Sequence, residues 1–166
     1  MRLVLMGEGG AKAGLAHIRE NAEPSRRKRL VLRPHGTSDE ARALMREADL
    51  GLVSLVPGVI AYAYPSKTAT YLSEGLPVLA AVEADSSLAR DVEAWGVGVH
   101  LPLETPQAAA EVLAGLLERA DAAERGERAR EVWSREFAVE GRLERWDELM
   151  GRVGLPLSTS GSVVAR

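Results

Sequence analysis

Short apolar runs alternate along this chain with stretches whose apolar residues recur every three or four positions. Leu3-Val4-Leu5-Met6 stops at Gly7-Glu8-Gly9-Gly10 and predicts a buried strand followed by a tight loop. Residues 11–21 follow as a helix, with Leu15 and Ile18 on one face. Leu30-Val31-Leu32 is a second strand, ended by Pro34-His35-Gly36. Ser38 is the expected cap of the next helix, with Asp39 and Glu40 in its first turn and Ala41, Leu44, Met45 and Ala48 at helical spacing. The run Leu50 to Val56 is apolar on both faces, as a strand inside a parallel sheet should be. Pro77 to Val82 and Val97 to Leu101 are the fourth and fifth strands. Between them, a polar turn from Glu83 to Ser87 leads into a helix that ends near Ala94. Thr105-Pro106 opens a helix with Pro at its first position. Residues 121–150 read as charged and helical, with Trp133, Phe137, Leu143, Trp146 and Leu149 as apolar anchors. From Gly151 onward the composition is that of a frayed tail.

Strands alternating with helices predict an α/β fold, a Rossmann-like parallel sheet of about five strands with right-handed crossovers. The expected organisation is one domain over 1–150 and a flexible tail over 151–166. Ligands in such sheets bind at the carboxyl ends of the strands. That edge carries Gly7-Glu8-Gly9, Pro34-His35-Gly36, the loop from Pro57 to Ser66 and the turn near Ser86-Ser87.

Composition narrows the chemistry. The 166 residues are 46% hydrophobic and 27% charged, those of an ordinary globule with room for a core. A net charge of -3 gives no footprint for nucleic acid. The basic run Arg26-Arg27-Lys28-Arg29 reads as a solvated helix end rather than a phosphate patch. With no Cys, thiolate chemistry and Cys-bound zinc are excluded, and His17, His35 and His100 fall in separate segments, so no metal is expected. His100 reads as a structural residue. No apolar run is long enough to span a membrane, and no signal peptide is recognisable, so a cytoplasmic protein is expected.

Two stretches break local rules. The loop Pro57 to Tyr64 carries no charge where a loop is normally polar, so it lines a pocket or an interface or packs beneath its own domain. It is followed by Tyr64-Pro65-Ser66-Lys67, with Ser66 as the expected helix cap, Gly75 at the helix end and Pro77 forbidding continuation. Lys67 then sits in a first helical turn, where a cation costs roughly 0.3–1 kcal/mol against the macrodipole. A helix start with free N–H groups, a hydroxyl and a Lys suits an anion; a solvated surface lysine is the plainer alternative. The strand–Gly7-x-Gly9–helix order resembles a dinucleotide site. The fingerprint fails, however, because Lys12 follows and no acidic residue stands at the required spacing.

Taken in order, these segments resemble the C-terminal, donor-binding half of a GT-B glycosyltransferase of the retaining group 1 (GT4-like) family. Leu3 to Gly9 is similar to its strand-GDG loop, and Ala48-Asp49-Leu50-Gly51-Leu52-Val53 to its AAD-type strand. Tyr64-Pro65-Ser66-Lys67 with Gly75-Leu76-Pro77-Val78 resembles the PSK…GxPV block of the subgroup that builds lipid-linked and exopolysaccharide sugars. The segment from Leu88 to Val99 and the closing helices after Arg135-Glu136-Phe137 also fit, so the resemblance spans about Arg2 to Met150. It implies a nucleotide-sugar donor, such as a UDP-sugar, as substrate, with no cofactor and no metal. The donor would meet Gly7, Glu8, Gly9 and His35, ribose would lie by the helix carrying Thr70, and the diphosphate would lie near Tyr64, Pro65, Ser66 and Lys67. No catalytic residue can be assigned.

Two departures qualify that expectation. The family's E-x7-E positions fall on Tyr62 and Thr70, so both carboxylates are absent. The acceptor domain and the first strand-loop-helix of the donor domain are also missing from this sequence. The expectation is therefore a donor-binding domain inactive without an acceptor domain, either a truncated or excised piece of a longer protein or a chain that completes its sheet as a homo-oligomer or by strand exchange. The alternative is a non-catalytic GT-B-derived binding or partner subunit.

Overall fold

The computed structural model describes residues 1–56, 58–117 and 121–155. The chain forms two compact units, Met1–Glu47 and Ala48–Arg166. The architecture is the expected one: α/β, with every strand pair parallel and helices between the strands.

The first unit contains β1 (Leu3–Met6), α1 (Lys12–Asn21), α2 (Pro24–Arg27), β2 (Leu30–Arg33) and α3 (Ser38–Arg46). β1 and β2 pair in register Leu3 to Leu30 and form a sheet of their own. Leu3 to Met6 was expected to be a buried strand. In fact no residue from 1 to 47 is buried, and Leu3 is 40% exposed. A two-stranded sheet with three short helices is too small to enclose an interior of its own. The helix cap also moves by one residue. Thr37, not Ser38, caps α3, and its hydroxyl accepts from the Glu40 backbone N–H at 3.2 Å. The Glu40 carboxylate accepts the Thr37 N–H in return at 2.7 Å. A capping box needs its carboxylate three residues on, and only Thr37 has Glu40 there.

The second unit holds β3 (Gly51–Ser54), α4 (Ser66–Ser73), β4 (Val78–Ala81), α5 (Ser87–Ala94), β5 (Gly98–His100), α6 (Pro106–Leu117), α7 (Ala122–Glu136) and α8 (Val139–Arg152). Its sheet has the order β3-β4-β5. The five expected strands are thus all present, but as sheets of two and three rather than one of five. β4 is buried at every residue, as a central parallel strand must be. The core runs through Val53, Leu72, Val78, Val82, Leu88, Val92 and Val97, and α7 closes it with Ala129 and Val132.

α4 buries Thr68 and Leu72. It ends in a Schellman turn: the Gly75 N–H donates to the Leu72 carbonyl at 3.0 Å and the Leu76 N–H to the Tyr71 carbonyl at 2.9 Å. Gly75 has φ 71°, which only a residue without Cβ adopts cheaply. Arg130 on α7 donates to the Glu74 carbonyl at 3.2 Å and covers that end. The segment expected to be charged and helical forms two helices, α7 and α8, which meet at Phe137-Ala138. Of its expected anchors, Phe137 packs on the core, but Leu143, Trp146 and Leu149 are 56%, 56% and 49% exposed. α8 continues to Arg152, two residues into the segment expected as a tail, and residues 156–166 of that segment lie outside the described residues.

Candidate functional site

The expected site residues divide between the two units. In the first, Gly7, Glu8 and Gly9 follow β1 and help to line a groove of about 350 Å3 with Leu5, Lys12 and Leu32. The Glu8 carboxylate takes both oxygens to Lys12 Nζ, at 2.6 and 2.7 Å. That bond is the main cause of a Glu8 pKa below the ordinary value, and the His35 backbone N–H adds to it. Glu8 and His35 are therefore neighbours, as expected of one loop cluster, and the His35 ring itself is exposed.

In the second unit, β3, β4 and β5 each run out into a loop that leads to a helix N-terminus, of α4, α5 and α6 respectively. Those three N-termini lie at the carboxyl edge of one parallel sheet. α5 is capped by Ser86, whose hydroxyl accepts the Ala89 N–H at 3.2 Å. α6 is capped by Thr105, which accepts the Ala108 N–H at 3.1 Å. α4 alone of the three has no side-chain cap. Ser66 was expected to be that cap. Pro65 occupies the position instead, at φ -67° and ψ 118°, and Ser66 is the first helical residue. Proline has no side-chain acceptor, so of the first-turn N–H groups of α4 only that of Thr68 is met from this position, by the Pro65 backbone carbonyl at 3.0 Å. Ser66 and Lys67 are both exposed at this uncapped end. Behind them Thr68 is completely buried, and its hydroxyl has no hydrogen-bond partner.

The uncharged loop before α4 packs in part beneath its own domain. It forms a single 3-10 turn over Val59–Ala61, and Ile60 packs on the core. Val56 and Tyr62 point outward, 72% and 93% exposed. Gly58, with φ 85°, donates its N–H to the Glu83 carboxylate in the turn after β4. That bond is the first-ranked cause of a lowered Glu83 pKa. Glu83 was read only as part of a polar turn, and nothing in the sequence signalled its partner 25 residues away.

Tyr64 takes a different position from Ser66 and Lys67. Its ring lies 6.1 Å from Phe137, which meets Trp95 edge-on at 6.0 Å. Burial raises the Tyr64 pKa, and hydrogen bonding to the nearby Asp91 carboxylate adds to the effect. Tyr64 therefore ties the loop to α5 and the end of α7. Glu136 stands in the same cluster. Burial pushes its pKa up, but bonds from Arg135 and Arg145 outweigh this and hold it below the usual range. Thr70 lies on α4 with its hydroxyl donating to the Ser66 carbonyl at 3.4 Å. His100 is held as a structural residue, its Nε2 2.9 Å from the Val82 carbonyl oxygen. Among the described residues no cluster of three or more His, Asp or Glu could hold a metal ion.

No protein-family model matches this sequence, and no curated protein matches it. Among solved structures the chain is similar to WaaG, a glycosyltransferase involved in lipopolysaccharide biosynthesis. The TM-score is 0.58 at 20% sequence identity, over 90% of this chain. The fold is glycosyltransferase-like. Its parallel strands flanked by helices are those of a Rossmann-like GT-B architecture. The chain spans 38% of the length of the WaaG chain. Among the described residues no helix of this glycosyltransferase-like fold is long and apolar enough to cross a membrane.

Proposed function

We propose that this chain is the C-terminal, donor-binding part of a retaining group 1 glycosyltransferase of the PSK type, working in the cytoplasm on polysaccharide or glycoconjugate synthesis. Its ligand is a nucleotide sugar such as a UDP-sugar, and it acts together with an acceptor-binding module. The observation that carries this reading is the start of α4: an uncapped helix N-terminus with exposed Ser66 and Lys67, at the carboxyl edge of a parallel sheet. Free N–H groups, a dipole and an ammonium group suit a diphosphate, and they would stabilise it as a leaving group. Each charge-assisted bond contributes roughly 1.5–3 kcal/mol. Needing no metal, this chemistry leaves the diphosphate charge to the protein. Gly7, Glu8, Gly9 and His35 of the first unit are proposed as donor-binding residues by the family resemblance alone.

One observation favours a second reading, a GT-B-derived binding subunit without catalysis. The two positions where the family carries carboxylates hold Tyr62, almost wholly exposed, and Thr70, whose hydroxyl turns back to its own helix. Neither supplies a charged acceptor for ribose.

A thermal-shift series with UDP, GDP, ADP and their sugar conjugates tests the proposal. A ligand at one hundred times its dissociation constant stabilises the fold by roughly 2.7 kcal/mol. The expected result is a rise in Tm with one nucleotide class. No rise with any of them overturns donor binding. A rise without glycosyl transfer, once an acceptor module is supplied, selects the second reading.

A further inference from the structure

The first unit is basic and the second acidic. Residues 1–47 carry ten Lys or Arg against six Asp or Glu, and residues 48–166 carry eleven against eighteen. The overall charge of -3 conceals that division. Charge asymmetry between the halves of a chain points to a charged partner.

Much of the excess is gathered where β1 and β2 begin. The Leu3 N–H donates to the Arg29 carbonyl at 2.8 Å, and the Arg29 N–H donates to the Arg26 carbonyl at 2.9 Å. Arg2, Arg26, Lys28 and Arg29 therefore stand at one end of the two-stranded sheet. Four strand residues, about 13 Å, separate this end from the loops at Gly7 and Pro34. Two further arginines here serve the fold: Arg19 donates to the Leu30 carbonyl at 3.0 Å and Arg27 to the Glu20 carbonyl at 2.6 Å. The other four are exposed, and their side chains have no hydrogen-bond or ion-pair partner among the described residues. Glu20 and Glu23 are the acids of the same stretch, and neither pairs with them. α2 is a single turn, so a helix end accounts for Arg26 and Arg27 and leaves Arg2 and Arg29 unexplained. Like charges gathered at one end repel each other, and an anionic partner removes that cost.

The neighbours of these cations select the partner. All seven aromatic residues of the chain lie after residue 47, so this end has no ring to stack on a base. α2, with four residues, is too short to read a groove of a duplex. What flanks Arg2 is apolar: Met1 and Leu3 are 69% and 40% exposed. Cations interleaved with exposed apolar side chains suit the headgroup region of a bilayer, where the charges meet phosphate and the apolar groups reach below it. Because the rest of the chain is acidic, an anionic surface attracts this end alone.

We propose that the end of the first unit where β1 and β2 begin docks on an anionic lipid membrane, held peripherally by Arg2, Arg26, Lys28 and Arg29. Co-sedimentation of the full chain with vesicles tests it. Equimolar phosphatidylglycerol and phosphatidylcholine should bind the chain, steeply less so as salt rises, and pure phosphatidylcholine should not. The combined variant Arg26→Gln, Lys28→Gln, Arg29→Gln should weaken vesicle binding at least about tenfold. Its Tm should not change, because no side-chain bond is lost. No binding to the anionic vesicles overturns the proposal. So does binding that survives the triple substitution or high salt, or that is equal on pure phosphatidylcholine. Binding to a double-stranded DNA fragment as tight as to the vesicles, in the same buffer, overturns the lipid assignment.

Discussion

The Glu83 carboxylate accepts the backbone N–H of Gly58 and so ties the apolar loop before α4 to the turn after β4. The loop has no charge of its own, so this is a fixed point between β3 and α4 that does not depend on apolar packing. Glu83→Gln keeps the acceptor but loses its charge, and charge-assisted bonds are about twice as strong as neutral ones. Backbone amides from 58 to 62 should then exchange with solvent several-fold faster, with β4 unaffected. The effect should follow pH. The folded-state pKa of Glu83 is lowered from 4.5, so the bond's contribution is complete above that value. It is lost as pH falls through the lowered folded-state value. Loop exchange that is unchanged by both the substitution and acid would show that the Ile60 and Tyr64 contacts hold the loop without Glu83.

Lys67 separates a binding role from a structural one. It is exposed in the first turn of α4, where the macrodipole opposes its charge. Lys67→Ala should leave the Tm of the free chain unchanged or raise it slightly, by roughly 0.3–1 kcal/mol of relieved repulsion. Nucleotide binding should weaken about tenfold or more, the loss of one charge-assisted contact of roughly 1.5–3 kcal/mol. Calorimetric titration with a nucleoside diphosphate checks both. A drop in Tm with unchanged affinity would make Lys67 a structural residue.

The parts of this fold governed by local rules were legible in the sequence. Apolar runs marked all five strands, Gly75 marked the end of α4, and Thr105-Pro106 marked the start of α6. What escaped were competitions between adjacent residues and contacts distant in sequence. Thr37 and Ser38 are both good caps, and the choice was made by Glu40. Pro65 and Ser66 competed likewise, and proline took the cap position, so the first turn of α4 is freer than its sequence suggested. The Gly58–Glu83 bond and the Tyr64–Phe137 contact join segments that no pattern connects. Leu143, Trp146 and Leu149 looked like core because helical periodicity reveals an apolar face without revealing what covers it.

Stability should be uneven between the two units. Residues 1–47 include no buried side chain, whereas β4 is buried throughout and flanked by Leu72, Leu88 and Val92 at 0% exposure. Local opening free energy follows buried apolar contact. Amides of β1 and β2 should therefore exchange well before those of β4. Leu72→Ala should cost about 2–5 kcal/mol, accelerate exchange in β4 and α7, and leave the rates in β1 and β2 little changed. Equal protection across both strand sets would refute this ordering.

Thr68 is an unusual residue for a helix start, because it is fully buried and its hydroxyl has no hydrogen-bond partner. An unpaired buried hydroxyl costs roughly 1–3 kcal/mol of desolvation. Valine has nearly the same shape and the same branching at Cβ, so it can fill the site without a cavity and with little change in helix propensity. Thr68→Val should therefore stabilise the chain by about 1–2 kcal/mol, a rise in Tm of roughly 2–8 °C for this length. Thr70→Val on the same helix is the control, since the Thr70 hydroxyl already donates, weakly, to the Ser66 carbonyl at 3.4 Å. It should change Tm by far less. A fall in Tm for Thr68→Val would mean that the buried hydroxyl is satisfied in solution.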